Sequence, residues 1–229
     1  LLDLLPIGKD TSTCAPSRLQ IAVTDQTQSA GAQKATLIAA WNRMHRFLRL
    51  WRALRWSVRD LDKAITAFAP KNANNVLDLT ADFLVRLSHV ERLRVDLGVS
   101  VSTLLSWWAP IESAAYVDNL KDGAPSVPSL YASLFDNPVV TGQSLGPATA
   151  LGAQGETISA SAAAIAAALQ LGADDLARLR DDENVLARLN GGGVDDRLTL
   201  DNLSSLHRHA TLARALKLGV PEYLSLLQL

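Results

Sequence analysis

The sequence predicts an all-α protein, an irregular stack of αα-hairpins with one proline- and glycine-rich insertion. The first observation behind that reading is a short pattern that recurs four times. It runs Leu54-Arg55-Trp56-Ser57-Val58-Arg59-Asp60-Leu61, Leu97-Gly98-Val99-Ser100-Val101-Ser102-Thr103-Leu104, Leu169-Gln170-Leu171-Gly172-Ala173-Asp174-Asp175-Leu176 and Leu216-Lys217-Leu218-Gly219-Val220-Pro221-Glu222-Tyr223. Four residues before each leading leucine stands another aliphatic side chain, Leu50, Leu93, Ile165 or Leu212. That spacing puts two apolar groups on one helical face just before the chain turns. Ser57, Ser100, Gly172 and Gly219 then take the N-cap place of a following helix, and Ser57 with Asp60 is a close relative of a capping box. The second observation is composition: 48% of residues are hydrophobic, mostly Ala and Leu, and only 5% are aromatic, which favours helices over sheets. The third is apolar spacing at the helical period between the bends.

Residues 1–35 form a poorly defined N-terminal segment. Pro6, Gly8 and Pro16 break any helix there, and Leu19 to Thr24 reads as an extended stretch or a turn. A strong helix is expected from about Ala35 to Leu54, with Trp41, Met44, Phe47, Leu48, Trp51 and Leu54 on one side and Arg43, Arg46, Arg49 and Arg52 on the other. Its partner spans Val58 to Phe68 and ends at Ala69-Pro70, because a residue before proline avoids the α region. The next pair starts at Thr80-Ala81-Asp82, runs to Leu97, and resumes from Val101 to Trp108 before Pro110. The repeat anchors Trp56, Val99, Leu171 and Leu218 lie 43, 72 and 47 residues apart, so the middle interval carries an insertion. The segment 110–155 is read as that irregular connection, with one short helix at Ser129 to Phe135. Helices at Ala160 to Leu169, from Ala173, from near Leu200 and from Val220 complete a helical domain over 36–229, with a flexible turn at Gly191-Gly192-Gly193.

The 22 basic and 23 acidic residues nearly cancel, so no global field draws the chain to nucleic acid or a membrane. A single cysteine, Cys14, excludes an internal disulfide and a cysteine zinc site. No apolar run approaches the roughly 20 residues that cross a bilayer. There is no initiator Met and no signal-like start, and the chain closes within an apolar helix. It is therefore expected to be a piece of a longer protein.

Several groups are candidates for chemistry or binding. Between Gln26 and Arg59 there is no acid, while Lys34, Arg43, Arg46, Arg49, Arg52, Arg55 and Arg59 accumulate. Such a helix can bind phosphates or anionic lipid, although a solvated or inter-domain face is the simpler reading. Trp107-Trp108 is a candidate platform; one ring facing the core and one at its rim is the expected arrangement. His207 and His209 are two apart and point to different sides of a helix, unlike an H-E-x-x-H pair. Asp174, Asp175, Asp181, Asp182 and Glu183 lack the ligand alternation and glycine of an EF-hand. No phosphate-loop, nucleophile-elbow or dinucleotide motif is present. No catalytic, metal or cofactor residue is assigned.

The run Trp41-Asn42-Arg43-Met44-His45-Arg46-Phe47-Leu48-Arg49-Leu50-Trp51-Arg52-Ala53-Leu54-Arg55-Trp56-Ser57 resembles a segment of the A components of bacterial insecticidal Tc toxin complexes. So do Ser129-Leu130-Tyr131-Ala132-Ser133-Leu134-Phe135-Asp136-Asn137-Pro138 and Leu200-Asp201-Asn202-Leu203-Ser204-Ser205-Leu206-His207-Arg208-His209-Ala210; the related virulence-plasmid A proteins share this region. The resemblance covers about residues 38 to 229. It implies a helical shell domain around a translocation channel, in a secreted or cell-surface pentamer that delivers a toxic enzyme to host cells. It implies no catalytic residue in this stretch, and it places receptor-binding and channel domains outside these 229 residues.

The expected function is a non-enzymatic scaffold whose partners are other domains of the subunit and neighbouring protomers. Phe47, Trp51, Leu54, Leu87, Leu93, Leu104, Leu212 and Leu216 form its expected core, and truncating Leu54 or Leu216 to Ala is expected to cost about 2–5 kcal/mol. The alternative is a helical binding module. It would engage a receptor, anionic lipid or chaperone through the arginine helix, with Trp107 and Trp108 as further candidates, or through the 110–155 insertion.

Overall fold

The structure is a computed structural model that describes residues 30–71, 77–116, 127–142, 144–152, 155–189 and 192–229. The reading of Leu19 to Thr24 lies outside the described residues. The chain is all-α: among the described residues the regular elements are helices, and extended backbone pairs only at isolated bridges such as Tyr116 with Val127 and Thr157 with Arg197. The α-helices are α1 (Ala30–Leu54), α2 (Val58–Phe68), α3 (Ala81–Leu97), α4 (Val101–Leu105), α5 (Leu130–Phe135), α6 (Pro138–Thr141), α7 (Ala162–Leu169), α8 (Ala173–Asp181), α9 (Leu200–Ala215) and α10 (Val220–Leu227).

The four sequence repeats adopt one backbone geometry. The second residue of each is left-handed, with φ of 56° at Arg55, 65° at Gly98, 56° at Gln170 and 59° at Lys217. Among the described residues, Arg55, Gln170 and Lys217 are the non-glycine positions with positive φ. This reversal closes each first helix: Leu171 N donates to Ala166 O at 2.9 Å and Leu218 N to Ala213 O at 3.0 Å, the hydrogen bonds of a Schellman ending. Two residues on, the cap residue is extended each time, with φ/ψ of −67°/154° at Ser57, −67°/152° at Ser100, −69°/158° at Gly172 and −67°/159° at Gly219. Ser57 Oγ accepts from Asp60 N at 3.0 Å and Ser100 Oγ from Thr103 N at 3.2 Å, satisfying helix-start donors. A Cβ built on Gly98 would meet nothing within 4 Å, so any substitution there tests the backbone alone. Gly98→Ala is expected to lower the unfolding free energy by about 1 kcal/mol, and Lys217→Gly to raise it by up to about 1 kcal/mol. Urea titrations with unchanged midpoints for both would refute the shared left-handed bend.

The chain divides into two compact units, where one domain over 36–229 is expected from the sequence. The first comprises Leu1–Leu93 with Tyr116–Val127. It buries Phe47 from α1, Trp56 from the first bend, Leu61, Ala64 and Ile65 from α2, and Phe83, Leu87 and Val90 from α3. Trp51 Nε1 donates to Trp56 O at 2.9 Å, and Trp56 Nε1 to Glu91 Oε2 at 2.8 Å, so indole hydrogen bonds tie the bend to α1 on one side and to α3 on the other.

The second unit comprises Arg94–Ala115 and Pro128–Leu229. Its core joins Ile111, Tyr131, Phe135, Ile158, Ile165, Leu179, Leu203 and Leu206. Alanine-rich α7 packs against α5, α6, α8 and α9; its methyl side chains let several helices approach one short segment. Within the insertion α5 forms as expected from the sequence, and α6 adds a turn capped by Asn137, whose Oδ1 accepts from Val139 N at 3.2 Å.

Several expectations need correction. α1 begins at Ala30, ahead of Ala35, and α4 stops at Leu105, giving way to a turn through Trp108. Trp41 and Leu48 are not part of the core face, being 51% and 37% exposed. At about 100° per residue they lie more than a quarter-turn from Phe47, whose side of α1 is the buried one. Leu216, expected in the core, is 47% exposed. The buried stripe of α9 runs through Leu203, Leu206, Ala210 and Ala213; the Leu212–Leu216 pair falls on its flank, leaving Leu212 half-buried. Trp51, Leu54 and Leu93 are likewise half-buried, whereas Phe47, Leu87 and Leu104 are fully enclosed. Leu216→Ala is therefore expected to cost under about 1 kcal/mol in chemical denaturation, because no cavity opens.

Candidate functional site

Two places gather polar groups, one in each unit. On α1 the arginines do not form one row. Steps of three residues turn about 300°, so successive members drift by about 60° around the helix. Arg46, Arg49 and Arg52 are exposed, while Arg43 swings to the buried edge and its Nε is buried without a hydrogen-bond partner. Arg46 Nη1 stands 3.8 Å from Asp78 Oδ1, with the two side chains 60% and 40% exposed, an ion pair of little energetic weight. Half-exposed Ile38 and Trp41 and the neighbouring Leu48 share an open side with Arg49 and Arg52.

In the second unit a half-open cleft of about 400 Å³ lies where three bends meet. Gly98, Gln170 and Lys217 rim it, and α9 contributes His207, Thr211 and Arg214. Arg214 Nη2 donates to Leu169 O at 2.6 Å, placing a cation on the last carbonyls of α7, where the helix dipole favours it. Thr211 Oγ1 accepts from Trp107 Nε1 at 2.9 Å and donates to His207 O at 2.7 Å. Ser106 Oγ donates to Thr103 O at 2.6 Å, so its one hydrogen is committed. His207 Nδ1, 3.1 Å from that oxygen, is then the donor, which assigns the neutral Nδ1–H tautomer by hydrogen-bond count. Burial, and secondarily the positive charge of Arg214, push the imidazole down to about 4. His209 faces elsewhere, its Nδ1 2.7 Å from the Tyr223 hydroxyl, and burial lowers it too.

These groups brace one element against another, as do others nearby. Ser204 Oγ accepts from Ile111 N at 2.9 Å, and Asn202 Nδ2 donates to the carbonyls of Asp195 at 3.0 Å and Arg197 at 2.9 Å. Arg197 holds the Asp195 carboxyl down to about 2 through a hydrogen-bonded pair at 2.6 and 2.7 Å. Compared with protein-family models and with curated proteins, the chain matches none. Among the described residues no group of three or more His, Cys, Asp or Glu is placed to hold a metal, and no helix is long and apolar enough to cross a membrane.

Trp107 and Trp108 divide as expected, with ring centroids 5.9 Å apart. Trp107 is buried at 7% exposure and leaves the candidate interaction face, whereas Trp108 is 52% exposed. Sequence reasoning missed Ser106, Thr211 and Arg214 as partners. Ser106 and His207 are 101 residues apart, and no local pattern signals such a pairing.

Proposed function

We propose that this chain is a non-enzymatic structural domain, part of the helical shell of a Tc-type toxin A subunit. Its partners are the other domains of that subunit and neighbouring protomers. In this reading it sits in a secreted or cell-surface bacterial complex, and any host receptor is engaged by domains outside this chain. The observation that carries the reading is the fourfold bend: one left-handed residue and one extended cap recur at Arg55/Ser57, Gly98/Ser100, Gln170/Gly172 and Lys217/Gly219. A chain that repeats one turn geometry builds a packed array of helix pairs, and its interior polar groups pin those helices to each other. The resemblance of the Trp41 to Ser57, Ser129 to Pro138 and Leu200 to Ala210 runs supplies the family. Electron microscopy of the complete protein containing this chain tests it. A five-fold particle with a central channel is expected; a monomer, or an assembly without a channel, would reject the toxin-shell reading.

A further inference from the structure

One face of α1 is open to solvent and carries both cations and apolar side chains. Lys34, Ile38, Trp41, His45, Leu48 and Arg52 succeed each other at steps of four and three, so they share one side of the helix, with Arg49 beside them. Every one of them is exposed, including the apolar members at 50% for Ile38, 51% for Trp41 and 37% for Leu48. The opposite side of α1 carries its buried contacts, Ala40 and Phe47. Arg49 and Arg52 have no ion pair among the described residues, and no acidic residue occurs between Gln26 and Arg59 to neutralise them.

We propose that this face docks onto the anionic headgroups of a phospholipid bilayer, with Trp41, Ile38 and Leu48 entering the interface and Lys34, Arg49 and Arg52 meeting phosphates and carboxylates. Charge complementarity selects the occupant: every fixed charge on the face, at Lys34, Arg49 and Arg52, is positive and calls for an anionic partner. Its apolar area is small for a protein partner: three partly exposed side chains offer on the order of 300 Å², below the apolar share, a little over half, of the roughly 800 Å² that each side of a stable protein interface buries. A lipid surface needs no matched shape; its attraction grows with each added cation, and Trp is at home at the headgroup boundary.

Sedimentation of the full chain with vesicles tests this. Binding is expected to vesicles containing phosphatidylserine, not to pure phosphatidylcholine, and it should fade at high salt. Each arginine is expected to contribute about fivefold, so the Arg49→Gln, Arg52→Gln double variant should bind about 25-fold more weakly, while the double lysine variant keeps most of the affinity. Brominated acyl chains should quench the wild-type fluorescence, and Trp41→Phe should lose that quenching. Matching helical circular dichroism of the variants establishes that they fold. Absent or salt-insensitive binding to anionic vesicles, or a double glutamine variant that binds like wild type, overturns the proposal. Capture by an acidic peptide without vesicle binding overturns it in favour of a protein partner.

Discussion

Replacing Phe135 with alanine is expected to destabilise the second unit by about 3–5 kcal/mol, the cost of emptying an aromatic site that cannot collapse. Phe135 has no exposed surface and lies in the cluster that includes Ile111, Ile158, Ile165 and Leu179. Its ring is tilted against that of Tyr131, with centroids 5.6 Å apart, and Tyr131 in turn donates its hydroxyl to Gly146 O at 3.0 Å. Burial and the nearby Asp136 carboxylate push that phenol up to about 12, so it stays a donor at any working pH. α5 is only six residues long and has no helical stability of its own. Two rings and the Ser129 cap, whose Oγ accepts from Ala132 N at 3.1 Å, hold it in place. Removing one ring therefore loses both the buried area and the reason for the helix. Such a loss is a large fraction of the total stability of a typical domain, about 5–15 kcal/mol. Urea unfolding followed by tryptophan fluorescence measures it, with Leu216→Ala as the near-neutral comparison. A difference of less than about 1 kcal/mol between the two variants would show that the insertion is not anchored through Phe135.

What could be read directly from the residues is what is local. Ser57 and Ser100 sit one bend from an aliphatic pair, and the structure gives them the cap geometry that pairing implies. Ala69-Pro70 ends α2, and Ser129 begins α5, by rules that involve neighbouring residues only. The left-handed residues were less visible: glycine marks one of them at Gly98, while Arg55, Gln170 and Lys217 adopt the same φ with side chains that give no sign of it. Errors arose where the side of a helix had to be chosen. The apolar residues of α1 span more of the helix than one partner covers, so Trp41 and Leu48 end outside while Phe47 is enclosed. Leu216 continues an i,i+4 pair that lies beside the stripe, not on it. The second unit's polar braces were invisible for another reason. His207 meets Ser106, and Trp107 meets Thr211, across about a hundred residues of chain, and only tertiary structure brings them together.

Those braces carry a pH dependence, centred on His207. The ring is 3% exposed, and protonation would place a charge in a desolvated site facing Arg214. Ser106 Oγ already accepts the Nδ1–H of the neutral ring, and the Thr211 hydroxyl hydrogen goes to the His207 carbonyl, so protonation at Nε2 gains no new hydrogen bond from either. The folded state therefore keeps the ring neutral down to about 4, while in the unfolded chain it titrates at its ordinary 6.5. Between those values the unfolded state binds the extra proton, and stability must rise with pH. The stabilisation is fully present above pH 6.5 and drains as pH falls towards 4, by about 3 kcal/mol in total. His209, also lowered by burial, adds a slope of the same sign. The Asp195–Arg197 pair acts in a separate window: its carboxyl is held at about 2, so its contribution is lost only as pH drops below the ordinary 3.8. Thermal unfolding of the wild type is thus expected to weaken steadily from pH 7 to pH 4, and His207→Gln to flatten most of that decline whatever its stability at neutral pH. A wild-type stability that is level across this window would mean that the imidazole is solvated or charged in the folded protein. The neutral brace between α9 and the turn after α4 would then not exist.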